Sequence, residues 1–465
     1  MSRSTFLVPV LDQWMIHAPL HGLTALLNDE ERRAFCGETE VPPSGRVRAL
    51  RSKFLSPPER FPGAMEGEVC PSFLGIIPTR ACNIGCVYCN FGGPTAKPLH
   101  MDPRIAVAAV DWMAERLVQA GREQFYVHFF GGEPFVSPEI IDIVVHRTRL
   151  VSAERGLVPY FDASTNGVFD AVRCSFVGDY FGGVVLSFDG PPEFHDRNRP
   201  AFGGRPTFKV VERTAKRLSN LPLDLCLRIC ITQDSVNHME EMVAWMCDSF
   251  KPSYVNFEPL TPGELPERAG LQIPDPFDFA VNCVRAYRAA EARGVKAVYA
   301  AAEIDEARIS FCPVGSDALI VSLDGRVSAC YLLPEDWQRR GLDLDLGKVH
   351  TNGTVDIDFE ALTRARRLPF DKPRCDACFC QWSCAGGCHV NQTYPGASLE
   401  YDAFCIQTRI VTVCRLLNKL GRDDVTDQLL ANREAMEALA RSWVDLPEHR
   451  ERGEGKPAFA QEQSA

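Results

Sequence analysis

The stretch 79-TRACNIGCVYCNFGG-93 carries Cys82, Cys86 and Cys89 in the spacing C-x3-C-x2-C, with Tyr88 directly before the third cysteine. Three thiolates within eight residues, with Gly85 and Asn90 permitting tight turns, can wrap one face of an iron–sulfur cube. A [4Fe–4S] cluster normally takes four cysteines. A loop that offers three leaves one iron open to an outside ligand, so the stretch reads as a reaction centre. A structural zinc site is the alternative, although tetrahedral zinc usually draws on paired C-x2-C knuckles and a fourth ligand. The spacing favours the cluster.

Around this loop, from about 71 to 300, strand-like and helical runs alternate. Phe73–Ile77, Gln124–Phe130, Pro159–Ser164, Gly183–Phe188, Asp224–Ile231 and Ser253–Phe257 read as strands. Ile105–Ala120, Pro138–Glu154, Lys209–Leu218 and Glu240–Phe250 read as helices between them. Six strands with intervening helices imply a parallel sheet whose C-terminal strand ends carry the chemistry. The polar motifs fall there. Gly131-Gly132-Glu133-Pro134 follows the second strand, its glycines allowing close backbone approach to a ligand. Ser164-Thr165-Asn166-Gly167 ends the third strand and Ser187-Phe188-Asp189-Gly190 the fourth, followed by the run Pro191–Arg199. Alone, the Gly131–Pro134 run is more often a turn, and each of the others is equally a turn or a solvated side chain. His128, on an apolar strand before the Gly-Gly turn, reads as a core side chain with a chance of touching substrate.

Taken together, Cys82, Cys86, Cys89 and Tyr88 resemble the signature of radical S-adenosylmethionine (SAM) enzymes. The resemblance implies a partial (β/α)6 TIM-like barrel in which the free iron chelates the methionine part of SAM. One-electron cleavage then yields a 5′-deoxyadenosyl radical that abstracts hydrogen from the substrate. It assigns Gly131, Gly132, Glu133 and Pro134 to the edge that holds the SAM amino group, and Ser164, Asn166, Ser187, Asp189 and Tyr88 to further cofactor contacts. Arg199 is the candidate partner of the SAM carboxylate, because a guanidinium fork matches it, with Arg228 as competitor. The run Pro191–Arg199 is similar to the peptide- and protein-modifying branch.

A second cysteine array follows: Cys312, twelve residues, Gly325, four more, Cys330, then Cys375-x2-Cys378-x5-Cys384-x3-Cys388 and Cys405. Across 301–410 it resembles the SPASM domain, which houses two auxiliary [4Fe–4S] clusters, while a zinc ribbon at Cys375, Cys378, Cys384 and Cys388 is the alternative. By that analogy Cys375, Cys378, Cys384 and Cys405 hold an outer cluster, and Cys312, Cys330 and Cys388 give three ligands to an inner one. Fully ligated relatives carry a further cysteine where this chain has Glu306. The inner cluster is therefore expected to have an open iron, for a substrate thiolate, Glu306 or water, with Cys380 as an eighth thiol able to substitute. Sulfatase-maturating relatives place an Asp after the cysteine matching Cys330. This chain has Tyr331, an expected acid, base or radical relay.

Residues 1–70 form an opening segment, with strands at Phe6–Val10 and Trp14–His17, a helix over Leu23–Phe35 complicated by Asn28-Asp29, and a linker over Pro42–Pro62. It vaguely resembles a reduced peptide-recognition element, or is a strand pair capping the barrel. Residues 411 to about 444 read as helical, and the last twenty, in the segment 411–465, as a disordered tail.

With 465 residues the chain has room for two or three domains. A net charge of −11 argues against nucleic acid as the main partner. No run of about eighteen apolar residues predicts a membrane span, and Asp12 and Gln13 spoil the N-terminus as a signal peptide. Nineteen cysteines at short spacings suggest metal binding in a reducing cytoplasm. The remaining nine, at 36, 70, 174, 226, 230, 247, 283, 380 and 414, read as core packing.

These readings converge on a cytoplasmic radical SAM oxidoreductase that modifies a ribosomal peptide or protein, forming a thioether or carbon–carbon cross-link. A flavodoxin- or ferredoxin-like electron donor is the implied partner, with no nucleic acid and no membrane. Formylglycine-type oxidation and epimerisation are the enzymatic alternatives. A non-catalytic iron–sulfur carrier or scaffold and a zinc-binding interaction protein are the others.

Overall fold

The structure, a computed structural model, describes residues 4–40, 42–58, 63–68, 72–89, 91, 99–392 and 401–442. The expected turn at Asn90, the packing of Cys70 and the C-terminal tail beyond 442 lie outside the described residues.

The chain opens with an antiparallel meander of β1 (Phe6–Val10), β2 (Gln13–Ala18) and β3 (Leu23–Leu27). The third strand corrects the helix expected over Leu23–Phe35. Leu23–Leu27 pairs with β2 from Ala18↔Leu23 to Trp14↔Leu27, and the helix begins only at Asp29. Asn28 starts it: its side chain accepts from Glu31 N, and Glu31 reaches back to the Asn28 amide. The expected linker is corrected too. Gly45–Phe54 is a helix capped by Ser44, because Val47 and Phe54, seven residues apart, share one buried face. One face of the meander (Phe6, Val8, Val10, Met15) joins the main core. The other (Leu7, Ile16, Ala18, Leu27) packs with Phe35, Val47 and Phe54.

The main body is one sheet. Its strands are β4 (Phe73–Ile76), β5 (Gln124–Phe129), β6 (Val158–Thr165), β7 (Gly183–Ser187), β8 (Asp224–Ile231), β9 (Tyr254–Pro259), β10 (Lys296–Val298), β11 (Ala318–Val321), β12 (Arg326–Ser328), β13 (Asp345–Val349) and β14 (Val355–Ile357). The order is β10-β9-β8-β7-β6-β5-β4-β11-β12-β13-β14. From β10 to β11 all neighbours are parallel, and β12, β13 and β14 continue antiparallel. The α/β barrel expected from the alternation is present. Beyond 300, where periodicity weakens, the chain adds short strands to the same sheet, since runs of three to five residues leave little pattern to read.

Within β5–β9 burial alternates. Val127, Phe129, Phe161, Ala163, Leu186, Leu227, Ile229, Val255 and Phe257 are buried outward against helices such as Pro103–Gln119, Pro138–Arg155 and Met239–Phe250. The intervening His128, Asp162, Ser164, Ser187, Arg228, Cys230, Asn256 and Glu258 are half-buried on the inner face. Parallel strands covered on both faces normally read as continuous apolar runs. This alternation means that the inner face lines a polar cavity at the C-terminal strand ends. Among the described residues no helix is long and apolar enough to cross a membrane.

Candidate active site

The Cys82–Cys89 loop leaves the end of β4 and is tied down by the strand ends beside it. Gly132 N donates to Thr79 O (3.2 Å) and Glu133 N to Ala81 O (2.8 Å). A Cβ on Gly132 would stand 2.2 Å from Ala81 O and 2.5 Å from Arg80 O, and one on Gly131 2.5 Å from Thr79 O. The close approach expected of this glycine pair is thus made to the chain's own backbone leading into the loop. Glu133 is buried, and its carboxylate accepts from Thr165 Oγ1 (2.8 Å), Asn166 N (2.7 Å) and Phe135 N (3.1 Å). Burial pushes its carboxyl up to about 7 against those bonds. Asn166 extends Nδ2 to Asn83 Oδ1 (2.8 Å) and Cys82 Sγ (3.5 Å). Its side chain therefore orients the loop directly.

On the opposite flank, Gly85 N donates to Pro200 O (2.7 Å) and Val87 N to Asn198 O (3.0 Å). Tyr88 Oη donates to Asp189 Oδ2 (2.7 Å) and receives Arg199 Nη1 (2.6 Å). Asp189 also accepts from Asn198 Nδ2 (3.3 Å) and Cys230 N (3.2 Å). Burial opposes the Arg199 charge, but Cys86, Tyr88 and Asp189 beside it hold the guanidinium firmly protonated. Among the described residues Arg199 Nε, which is buried, has no hydrogen-bond partner. Burial pushes Cys86 up to about 12, Arg199 draws it down, and Cys89 and Cys82 raise it further. The three thiols therefore lie within electrostatic reach of one another.

Deeper in the cavity, His128 Nδ1 and Asp162 Oδ1 are 2.8 Å apart, and Ser164 Oγ lies 3.4 Å from His128 Nε2. The strand register sets this geometry, because Gly75, His128 and Asp162 are cross-strand partners on one face. Tyr331 roofs the dyad, its ring 4.7 Å from Phe130 and 5.5 Å from His128. A Cβ at Gly75 would meet the Tyr331 hydroxyl at 2.6 Å, so glycine on β4 makes room for the phenol. That hydroxyl is buried and has no hydrogen-bond partner among the described residues. Ser187 pairs in register with Arg228 on the same face. No sequence pattern announces the dyad, because His128 and Asp162 are thirty-four positions apart and only strand register joins them.

The later cysteines fall into two groups. Burial raises Cys312 to about 11 and Cys330 to about 12, and Cys388 pushes both the same way. Burial raises Cys384 to about 12, with Cys405 and Cys378 adding to it, and Cys375 interacts with Cys378 and Cys384. Cys378 is held low by a hydrogen bond from the Cys380 thiol and by Arg409, whose Nη1 lies 3.1 Å from its sulfur. Cys380 thus packs behind Cys378, near Thr412. Glu306 is exposed. Among the other cysteines, 36, 174, 226, 247, 283 and 414 are buried, whereas Cys230 is half-buried at the cavity wall.

Among the described residues no three His, Cys, Asp or Glu side chains gather tightly enough to hold a single metal ion. A four-iron cube spreads its ligands more widely than one ion does. The donor set suits such a group: three thiols within electrostatic reach of one another stand beside a buried guanidinium with an unpaired nitrogen.

Residues 76–246 match the Radical SAM superfamily, a family whose members use SAM and a [4Fe–4S] cluster. The cysteine-type anaerobic sulfatase-maturating enzyme of Clostridium perfringens is 25% identical over 176 residues, 37% of this chain and 47% of that one. The chain thus spans about half the length of that relative. Mycofactocin maturase MftC of Mycobacterium ulcerans is 25% identical over 365 residues, 75% of this chain and 90% of its own. The solved structure of native anSMEcpe with bound AdoMet and Cp18Cys peptide superposes with a TM-score of 0.58 at 20% identity, over 76% of this chain and 99% of that one. It shares the fold.

Proposed function

This chain carries a radical SAM domain, and from that premise we propose that it is a maturase that oxidatively cross-links a ribosomal peptide or protein, through a thioether or a carbon–carbon bond. The observation that carries the reading is the position of Tyr331. It follows Cys330 of the inner thiol group, yet its ring sits on His128 and Phe130 in the cavity beneath the Cys82–Cys89 loop. The inner group therefore borders the same cavity as the loop, as a reaction on a substrate thiol requires.

Cys82, Cys86 and Cys89 would hold a [4Fe–4S] cluster, which with SAM supplies a carbon radical for hydrogen abstraction when bound. The unpaired Arg199 Nε is the group for the SAM carboxylate, and the Gly131–Pro134 turn offers its backbone edge to the SAM amino group. Ser187, Asp189 and the Asn166 region close the remaining wall. His128, oriented by Asp162, accepts the substrate proton, and Tyr331 shields it from water. Cys312, Cys330 and Cys388 would hold an inner auxiliary cluster with one open position, and Cys375, Cys378, Cys384 and Cys405 an outer one. Glu306 must turn inward to fill the open position. A flavodoxin- or ferredoxin-like protein supplies electrons. Residues 1–70 recognise the peptide: among the described residues β3 is an edge strand of its sheet, its Leu26 carbonyl accepts from Arg46 Nη2 (2.9 Å), and an extended leader can add as a strand along the rest of that edge. A photo-reactive leader cross-linking only outside residues 23–27 would remove that role.

Formylglycine formation is the second reading, favoured by the likeness to the sulfatase-maturating enzyme and disfavoured by Tyr331 in place of an acid.

The test is mass spectrometry of short peptides encoded beside the gene, each co-expressed with the enzyme or its Cys82→Ala variant. Loss of two hydrogens that survives thiol alkylation, absent with Cys82→Ala, is expected. Unchanged mass with deuterium uptake from heavy water would mean epimerisation and overturn the reading. His128→Gln should keep SAM cleavage while product formation drops about 100-fold.

A further inference from the structure

The two C-terminal thiol groups are joined by Cys384-Ala385-Gly386-Gly387-Cys388, so three residues separate an outer cysteine from an inner one. Lys372 threads this turn. Its ammonium donates to the carbonyls of Gly386 (2.8 Å) and Gly387 (2.9 Å). A Cβ on Gly386 would stand 2.3 Å from Lys372 Cδ and 3.0 Å from Nζ, so glycine keeps open the channel that the lysine occupies. Both glycines also have positive φ, 75° and 69°. Arg308 holds the residue just before this turn, with Nε 3.0 Å from Ser383 O. Lys372, Arg308 and Cys375 line one small cavity with Gln381, Trp382 and Ala385.

This placement sets one cation between two thiol groups. Lys372 lies within electrostatic reach of Cys375 and Cys384 on one side and of Cys388 and Cys312 on the other. Arg308 similarly reaches Cys384 and Cys312. Lys372 is half-buried, and taking an ammonium even partly out of water is costly unless opposite charge compensates it. Its two carbonyl partners are neutral and bring no opposite charge. A pair of anionic cores on either side gives the charge a further use.

We propose that Lys372 is a positioning residue shared by the two auxiliary clusters, whose charge raises the reduction potential of both. The proposal rests on the reading that the seven thiols hold two clusters. A thiolate-ligated cluster becomes more negative by one charge on reduction, so a fixed cation favours its reduced form, and net charge is among the factors that set such potentials. Arg308 adds to the same field.

The experiment uses the full chain with Cys82, Cys86 and Cys89 replaced by Ala, so that only the C-terminal sites are loaded. Iron and sulfide analysis is followed by a redox titration read by electron paramagnetic resonance. The parent should hold about eight irons, four per cluster. Adding K372Q should leave the iron in place and shift both potentials to more negative values, and R308Q should shift them in the same direction by less. Full iron with both potentials unchanged in K372Q would overturn the proposal. So would a folded K372Q that loses iron, because the lysine would then be a structural clamp. If K372Q does not fold, unchanged potentials in R308Q overturn it. About four irons or none in the parent itself would instead mean that the two-cluster reading has failed, whatever Lys372 does.

Discussion

The loop Cys82–Cys89 gathers its thiols within a single excursion of the backbone, whereas the C-terminal groups draw theirs from distant points between Cys312 and Cys405. The two regions are held by different forces. The loop is fixed mainly by backbone contact: Gly131 and Gly132 press against Thr79–Ala81, and Pro200 and Asn198 carbonyls clamp the far side. The C-terminal groups are fixed largely by cations. Lys372 grips the connecting turn, Arg308 holds the Ser383 carbonyl just before it, and Arg409 bonds the Cys378 sulfur. Local thiols need shape to orient them. Cysteines from distant segments repel one another once they are thiolates, and buried positive charge offsets that repulsion.

The comparison breaks most sharply at Gly132→Ala. The added methyl meets two carbonyl oxygens closer than 3 Å, an overpacking of about 1–3 kcal/mol or more concentrated on the loop entrance. Iron analysis of the variant should show the loss of about four irons and of SAM cleavage, with the C-terminal irons retained. Loss of all the iron would show that the two regions fold as one. The converse is Arg409→Met. It removes the bond to Cys378 and leaves Ser442 O without its donor (2.7 Å), a change expected to cost about 3–4 kcal/mol. Thermal unfolding should move accordingly, and SAM cleavage at the loop should persist.

A smaller effect separates the regions by pH. The Glu133 carboxyl stands at about 7 in the folded chain against an ordinary 4.5, so between those values the folded state binds more protons than the unfolded one. Stability should therefore be highest below pH 4.5 with respect to this group and fall as pH rises through 7, by about 3 kcal/mol. Unfolding midpoints measured across that window should show the decline, and Glu133→Gln should flatten it. A slope that persists in Glu133→Gln would place the titration elsewhere.

Six of the eight parallel strands, β4 to β9, are legible in the amino-acid sequence, because each is a run of four to eight residues bounded by turns, whereas the short β10 and β11 are not. The β3 strand is not: Leu23–Leu27 followed by a charged run has the composition of a helix, and pairing with β2 decides otherwise. The helix Gly45–Phe54 is hidden among prolines and arginines, and its two buried residues acquire meaning only against Phe35 and the meander.

Local pattern is enough to specify the three-cysteine loop, the second array and the barrel that carries both, because short spacings and alternating apolar runs are properties of neighbouring residues. Folding alone brings His128 to Asp162, makes Gly75 the space for the Tyr331 hydroxyl, and turns the glycine pair toward the chain's own backbone. It also sets Lys372 between the two thiol groups. These are contacts between residues far apart in the chain, fixed by strand register and close packing, and no run of neighbouring residues encodes them.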